Sequence, residues 1–243
     1  MPKIKTYDAG SKDLFKISRT GVQLFLNCAR CFSLKYKFGI SQISGPPFTI
    51  NSAVDHLLKK EFDVCREKKI PHPLMQTKKI DAIPFSHELL DQWRYNFKGV
   101  QYDDHERNFH LFGAIDDVWI HNKTNKLIVA DYKATAKDSE VNIDAPWQIA
   151  YKNQMEFYQW LLRKNGYEVD DEGWFVYCNG RKSEDRFDGV VKFDIKMIPY
   201  VGNDDWIEPT LDKIKACLDS DKLPDFNESC DHCTYTIKVS RFI

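Results

Sequence analysis

No apolar run in the 243-residue chain is long enough to cross a membrane. Its longest uninterrupted apolar stretches, such as Leu127 to Ala130 and Trp174 to Cys178, are short beside the ~18 residues a span requires. The first residues, MPKIKTYDAG, lack an apolar h-region. A secretory leader is therefore not expected, and an intracellular, cytoplasmic protein is. No G-x-x-x-x-G-K-[ST] occurs, so the chain is not expected to carry a helicase motor. Internal repeats and low-complexity segments are missing. Net charge is almost absent, with 35 Lys and Arg against 36 Asp and Glu, a balance of −1. That excludes a globally basic nucleic-acid binder and leaves room for a local basic patch. Hydrophobic residues make up 42%, which does not match the composition of a disordered chain.

The charge is unevenly spread. Residues 1–69 hold 13 Lys and Arg against 6 Asp and Glu, a balance of +7, so the remainder carries −8. This asymmetry suits an acidic partner such as phosphate, or simply a solvated helical face. Seven cysteines without an export signal read as intracellular thiols rather than a disulfide framework. Four of them form two CxxC pairs, Cys28/Cys31 and Cys230/Cys233, where composition alone predicts roughly 0.2 such pairs.

Apolar periodicity predicts a helix over 18–38, opened by Ser18 and stopped by Gly39. A second helix is expected over 51–68, with Val54, Leu57, Leu58 and Phe62 at helical spacing, and a third over 86–97. Residues 70–84, with three prolines, read as an exposed connection. The stretches 109–121 and 126–132 are β-branched and aromatic, and Asn122-Lys123-Thr124-Asn125 between them is turn-like, so they predict a β-hairpin. A long helix follows over about 146–165, with Pro146 near its start and Gly166 past its end. Strands are expected over 172–179 and 187–195 and a helix over 204–220, before a short tail containing CDHC. The order is that of a mixed α/β (α+β) chain with one central sheet under helical cover. The length suits a single domain, with a helical part over about 18–98 and a cysteine-containing tail over about 221–243.

A symmetric two- or four-residue loop makes paired hairpin residues sum to 247, which sets Asp116 across from Asp131. Like charges at that separation destabilise a sheet unless a cation lies between them. Mg²⁺ or Mn²⁺ suits such hard oxygen ligands. Lys133, two residues past Asp131, points to the same face. Two carboxylates and a lysine can hold a metal, activate a water and stabilise a phosphoryl transition state. The competing reading is a salt-bridged cluster on a solvated face. Asp117 points to the other face and reads as structural.

GAIDDVW (113–119) followed by VADYKAT (129–135) resembles the core of the PD-(D/E)XK nucleases, in particular the RecB-like branch. SRTGVQLFLNCARCFSLKY (18–36) resembles that branch's N-terminal helix, with Cys28-Ala29-Arg30 where Cys-Pro-Arg is common. SAVDHLLKKEF (52–62) resembles the helix that supplies a histidine ligand, and NQMEFY (153–158) its Q-x-x-x-Y helix. The resemblance spans roughly 18–235 and implies a restriction-endonuclease-like central mixed sheet flanked by helices. It implies that His56, Asp116, Asp131 and the Tyr132 backbone carbonyl hold Mg²⁺ or Mn²⁺, and that Lys133 orients or activates the attacking water. Gln154 and Tyr158 would position the site, and Arg30 would bind phosphate. The implied activity is a metal-dependent deoxyribonuclease, an exonuclease on single-stranded DNA or free ends, in repair, recombination or CRISPR adaptation beside the proteins of those pathways. A catalytically silent nucleic-acid-binding or scaffold subunit is the alternative, and RNA an alternative target. The aromatics Phe25, Phe32 and Tyr36 are either base-stacking groups or core.

Members of this branch that resemble the CRISPR-associated exonucleases and AddB-type nucleases carry a four-cysteine 4Fe-4S cluster, with one cysteine near the start and three near the end. Here the division is two and two. The resemblance implies a cluster on Cys28, Cys31, Cys230 and Cys233, with Zn²⁺ or no metal as alternatives. Cys65, Cys178 and Cys217 read as core residues.

Overall fold

Eight strands and eight helices make up the computed structural model, which describes residues 5–43, 45 and 49–242. Strand β1 (Phe15–Ser18) leads into α1 (Arg19–Asn27) and α2 (Ala29–Phe38). Then come α3 (Thr49–Lys68), α4 (Pro73–Thr77), β2 (Ala82–Pro84), α5 (Leu90–Arg94), β3 (Val100–Asp104) and β4 (Phe109–Gly113). Strands β5 (Asp117–His121) and β6 (Leu127–Thr135) precede a 3-10 turn at Pro146–Gln148 and α6 (Ile149–Lys164). The chain continues through β7 (Glu172–Gly180), β8 (Phe193–Val201), α7 (Ile207–Asp219) and α8 (Asp231–Val239). The expected mixed α/β class holds. There are two mixed sheets rather than one, ordered β1-β4-β3 and β2-β5-β6-β7-β8. No helix among the described residues is long and apolar enough to cross a membrane.

The chain divides into two compact units. The first comprises Met1–Pro46, Gln101–Phe112 and Asp205–Ile243. In it the helix expected over 18–38 is broken at Cys28. Ser18 caps α1 by accepting the Gly21 N–H at 3.1 Å. Cys28 is extended, at φ −164°, and ends α1. Its sulfur then accepts the Cys31 N–H at 3.4 Å and opens α2. The apolar period runs straight through this break, so periodicity does not detect it. Ala29 is the first residue of α2, a position where proline is well tolerated. The helix stops at Gly39, left-handed at φ +71°. Phe32 and Tyr36 are buried with ring centroids 4.7 Å apart, and Phe25 packs edge-on against Phe32 at 5.3 Å. Phe32 and Tyr36 thus form core, while Phe25 is half-buried against them. The tail folds into α8.

The second unit comprises Pro47–Val100 and Gly113–Asp204. Its sheet is built on the hairpin, with Asp117 opposite Ala130 and Ile120 opposite Leu127. Those pairs sum to 247, so the expected register is observed. The strand expected over 109–121 is instead two strands in different sheets, interrupted at 114–116. Strands β6 and β7 run parallel, and α6 is the crossover between them. Leu58, Phe62 and Cys65 of α3 are buried. Phe62 stacks on Trp119 at 5.5 Å and meets Tyr132 at 5.7 Å. Burying one such ring contributes roughly 2–3 kcal/mol and fixes α3 against the Tyr132 face of β6.

Three further expectations shift. The connection at 70–84 is ordered: Pro73 opens α4, Met75 is buried, and β2 pairs with β5 at a sheet edge, where Pro84 is tolerated. The helix expected over 86–97 is only α5, because Tyr95 is extended and Gly99 turns left-handed at φ +67°. A Cβ on Gly99 would lie 2.2 Å from the Gly113 carbonyl oxygen, so only glycine permits that approach, beside the segment carrying Asp116. The strand expected over 187–195 begins at Phe193, because Asp188 and Gly189 both take positive φ and bend the chain before it.

Candidate active site

The hairpin, α3 and α6 of the second unit bring the acids together. Asp116 lies one residue before β5, and its Oδ2 accepts the Tyr132 backbone N–H at 2.9 Å. Asp131, in the middle of β6, is fully buried. Its carboxylate pairs with Lys133, two residues along the same strand face. Gln154 Nε2 donates to Asp131 Oδ1 at 2.7 Å and lies 3.1 Å from the Tyr158 hydroxyl. Asp116, Asp131, Lys133, Gln154 and Tyr158 thus share one neighbourhood.

Helix α3 brings Asp55 and Lys59 to the acids. Val54, Leu58, Phe62 and Cys65 mark its inward stripe. Asp55 and Lys59 follow Val54 and Leu58 by one position, at the flank of that stripe. Lys59 Nζ lies 2.8 Å from Asp55 Oδ2 and 3.5 Å from Asp116 Oδ1. His56 is exposed, and no hydrogen bond or ion pair joins it to these acids. Burial and the nearby Asp116 charge raise the Asp55 pKa, against the pull of Lys59. Burial lowers the Lys59 pKa, but the two carboxylates outweigh it and the net shift is upward.

Tyr151 was not legible as a site residue. Lys133 Nζ sits 4.5 Å from its ring centroid, and burial followed by the Asp131 charge raises its phenol pKa. Tyr151 is three residues before Gln154 and seven before Tyr158, so helical spacing carried the signal. A pocket of about 110 Å³ is lined by Asn51, Asp55, Tyr132, Lys133 and Tyr151. Trp147, 54% exposed, meets Tyr151 edge-on at 5.3 Å, and Lys137 Nζ lies 5.2 Å from the Trp147 ring.

Asp117 is structural in its contacts. It is fully buried, pairs with Arg66, receives Arg94 Nη2 at 2.8 Å, and accepts the Tyr132 hydroxyl at 2.9 Å. Burial and the Asp117 charge raise the Tyr132 phenol well above its usual range, so it remains a donor.

The first unit holds Cys28, Cys31, Cys230 and Cys233, and also Arg30. The sulfurs of Cys28, Cys31, Cys230 and Cys233 all lie within 4.8 Å of one another, as a metal-binding group does. Arg30 Nη1 donates to the Pro224 carbonyl at 2.8 Å, and its guanidinium lies 3.9 Å over the Phe226 ring. Cys65 and Cys178 are buried and Cys217 half-buried, all three free thiols.

Comparison with known proteins adds a family. A family model described as the PD-(D/E)XK nuclease superfamily matches residues 16–237. No curated protein matches the sequence. The crystal structure of SSO0001 aligns with a TM-score of 0.45 at 17% identity, covering 94% of this chain and 87% of that one.

Proposed function

Because the chain belongs to the PD-(D/E)XK nuclease superfamily, a superfamily of metal-dependent nucleases, we propose that the Asp116/Asp131/Lys133 cluster is the centre of an exonuclease acting on single-stranded DNA ends. The observation that carries this reading is the connected set Lys133–Asp131–Gln154–Tyr158 beside Asp116. The donor set fits a hard divalent ion: the carboxylate of Asp116 just before β5, the fully buried carboxylate of Asp131 on β6, and the backbone carbonyl of Tyr132, the residue after Asp131. Those three groups would hold Mg²⁺ or Mn²⁺. On α3 we assign Asp55 ahead of His56, because Asp55 already lies in the charge network; His56, exposed on the same turn, is the second candidate. A bound ion supplies Lewis-acid stabilisation and a more acidic water.

The protein's own groups do the rest. Lys133 orients the attacking water and faces the charge that develops on the phosphoryl oxygens. Gln154 holds Asp131 in position, and Tyr158 holds Gln154. Water attack at phosphorus breaks the P–O bond to the 3′ oxygen, leaving a 5′-phosphate and a 3′-hydroxyl. Exposed Trp147 with Tyr151, flanked by Lys133 and Lys137, supports a single-stranded substrate, because stacking on aromatic faces needs unpaired bases. Arg30 and the basic first third are proposed phosphate contacts. We treat residues 1–243 as one nuclease domain, supported by a family match that runs across both units. Such an enzyme belongs inside the cell, in repair, recombination or CRISPR adaptation.

The test offers labelled single-stranded DNA, duplex DNA and RNA in equal amounts with Mn²⁺. Progressive loss of single-stranded DNA from one end is expected first. Preferential RNA cleavage, or internal cuts alone, contradicts the assignment of substrate and mode.

A further inference from the structure

We infer that the four-cysteine group holds one tetrahedral zinc ion and not a 4Fe-4S cluster. The argument is geometric. Four thiolates sharing one zinc at about 2.3 Å stand about 3.8 Å apart along each tetrahedron edge. The separations in the structure are 3.6 Å for Cys28–Cys233, 3.7 Å for Cys31–Cys230 and 3.9 Å for Cys31–Cys233. All six pairs lie within 4.8 Å. In a four-iron cube each thiolate points outward from its own iron, so the four sulfurs stand well beyond the edge of a one-ion tetrahedron. The 4Fe-4S cluster that the resemblance implies does not fit between these sulfurs.

The backbone agrees with a single ion. The two pairs are built alike, each at a helix start. Cys28 is the N-cap of α2, and its sulfur accepts the Cys31 N–H. Cys230 is likewise the N-cap of α8, with Cys233 three residues on in the first turn. The Cys31 N–H and the two helix starts direct positive charge at the sulfurs, which offsets the charge of four thiolates on a divalent ion. The surroundings are prearranged. Asn227 Nδ2 donates to the Asn27 carbonyl at 2.8 Å, and Arg30 holds Pro224 and Phe226. These contacts seat the tail beside the α1–α2 break independently of the cysteines. The role is a structural clasp joining α8 to α2 within the first unit. Its residues belong to the first unit and those of the proposed nuclease centre to the second, and its test does not depend on activity.

The full chain would be produced in iron- and cysteine-supplemented medium and purified without oxygen, then assayed for zinc, iron and acid-labile sulfide. About one zinc per chain, with neither iron nor sulfide and no absorbance near ~400 nm, is expected. About four irons with sulfide, a single iron without sulfide, or no metal would each overturn the inference. X-ray absorption at the zinc edge of the unaltered protein should show four sulfurs at about 2.3 Å; nitrogen or oxygen neighbours would overturn it. The Cys230→Ser/Cys233→Ser double variant should lose its zinc and Cys217→Ser should keep it. The opposite pattern would place the ion elsewhere.

Discussion

The Tyr132 backbone N–H donates to Asp116 Oδ2 at 2.9 Å, so the residue beside Asp131 holds the other acid of the pair. The same residue's hydroxyl donates to Asp117 Oδ2 at 2.9 Å. Main chain and side chain therefore serve the two neighbouring acids separately. Tyr132→Phe should leave Asp116 in place and cleavage within about twofold, while costing about 1–2 kcal/mol in urea unfolding. A large loss of activity at unchanged stability would contradict this division.

Asp117, together with the half-exposed Asp63, neutralises Arg66 and Arg94. Removing the buried carboxylate leaves two buried arginines with only Asp63 between them. Asp117→Asn should cost about 3–5 kcal/mol in equilibrium unfolding. A loss below about 1 kcal/mol would mean that the pair is solvated.

Burial lowers the His72 pKa, against the upward pull of Glu61. The neutral ring serves the fold, since its Nδ1 accepts the Leu74 N–H at 3.2 Å at the start of α4. The folded value lies below the unfolded value of about 6.5, so on acidification the unfolded chain takes up the proton first. His72 therefore supports stability fully above that value, and its contribution is lost as the pH falls below it. Urea midpoints at about pH 7.5 and 5.5 should differ less in His72→Asn, which retains a capping acceptor. Identical pH slopes would exclude the effect.

Trp147 presents an exposed ring beside the Lys133 pocket. Trp147→Ala should weaken single-stranded DNA binding by about tenfold, within the range of one lost base stack, and leave stability unchanged. Unaltered affinity would move the strand's path elsewhere.

The sequence revealed most about this site where its signals were local. Alternation and a four-residue turn placed Asp116 near Asp131 and Lys133 on the same face, because strand period and loop length fix register. The separation of Asp117 from that site was legible for the same reason. Its two arginine partners were not, since Arg66 and Arg94 reach it across 51 and 23 residues. The break at Cys28 was hidden by an apolar pattern that continues through it. The β8 boundary was hidden because the apolar residues at 187–191 lie in a loop turned by positive-φ residues. The family pattern named His56 on α3, and the helical stripe sets the neighbouring Asp55 nearer the core.

Cleavage of end-labelled single-stranded DNA with Mn²⁺ by the native protein and by Lys133→Ala, prepared side by side, tests the central claim most directly. The account predicts cleavage by the native protein and a loss of at least ~100-fold in the variant, with circular dichroism unchanged. Equal cleavage by the two proteins would contradict it and place the active centre elsewhere.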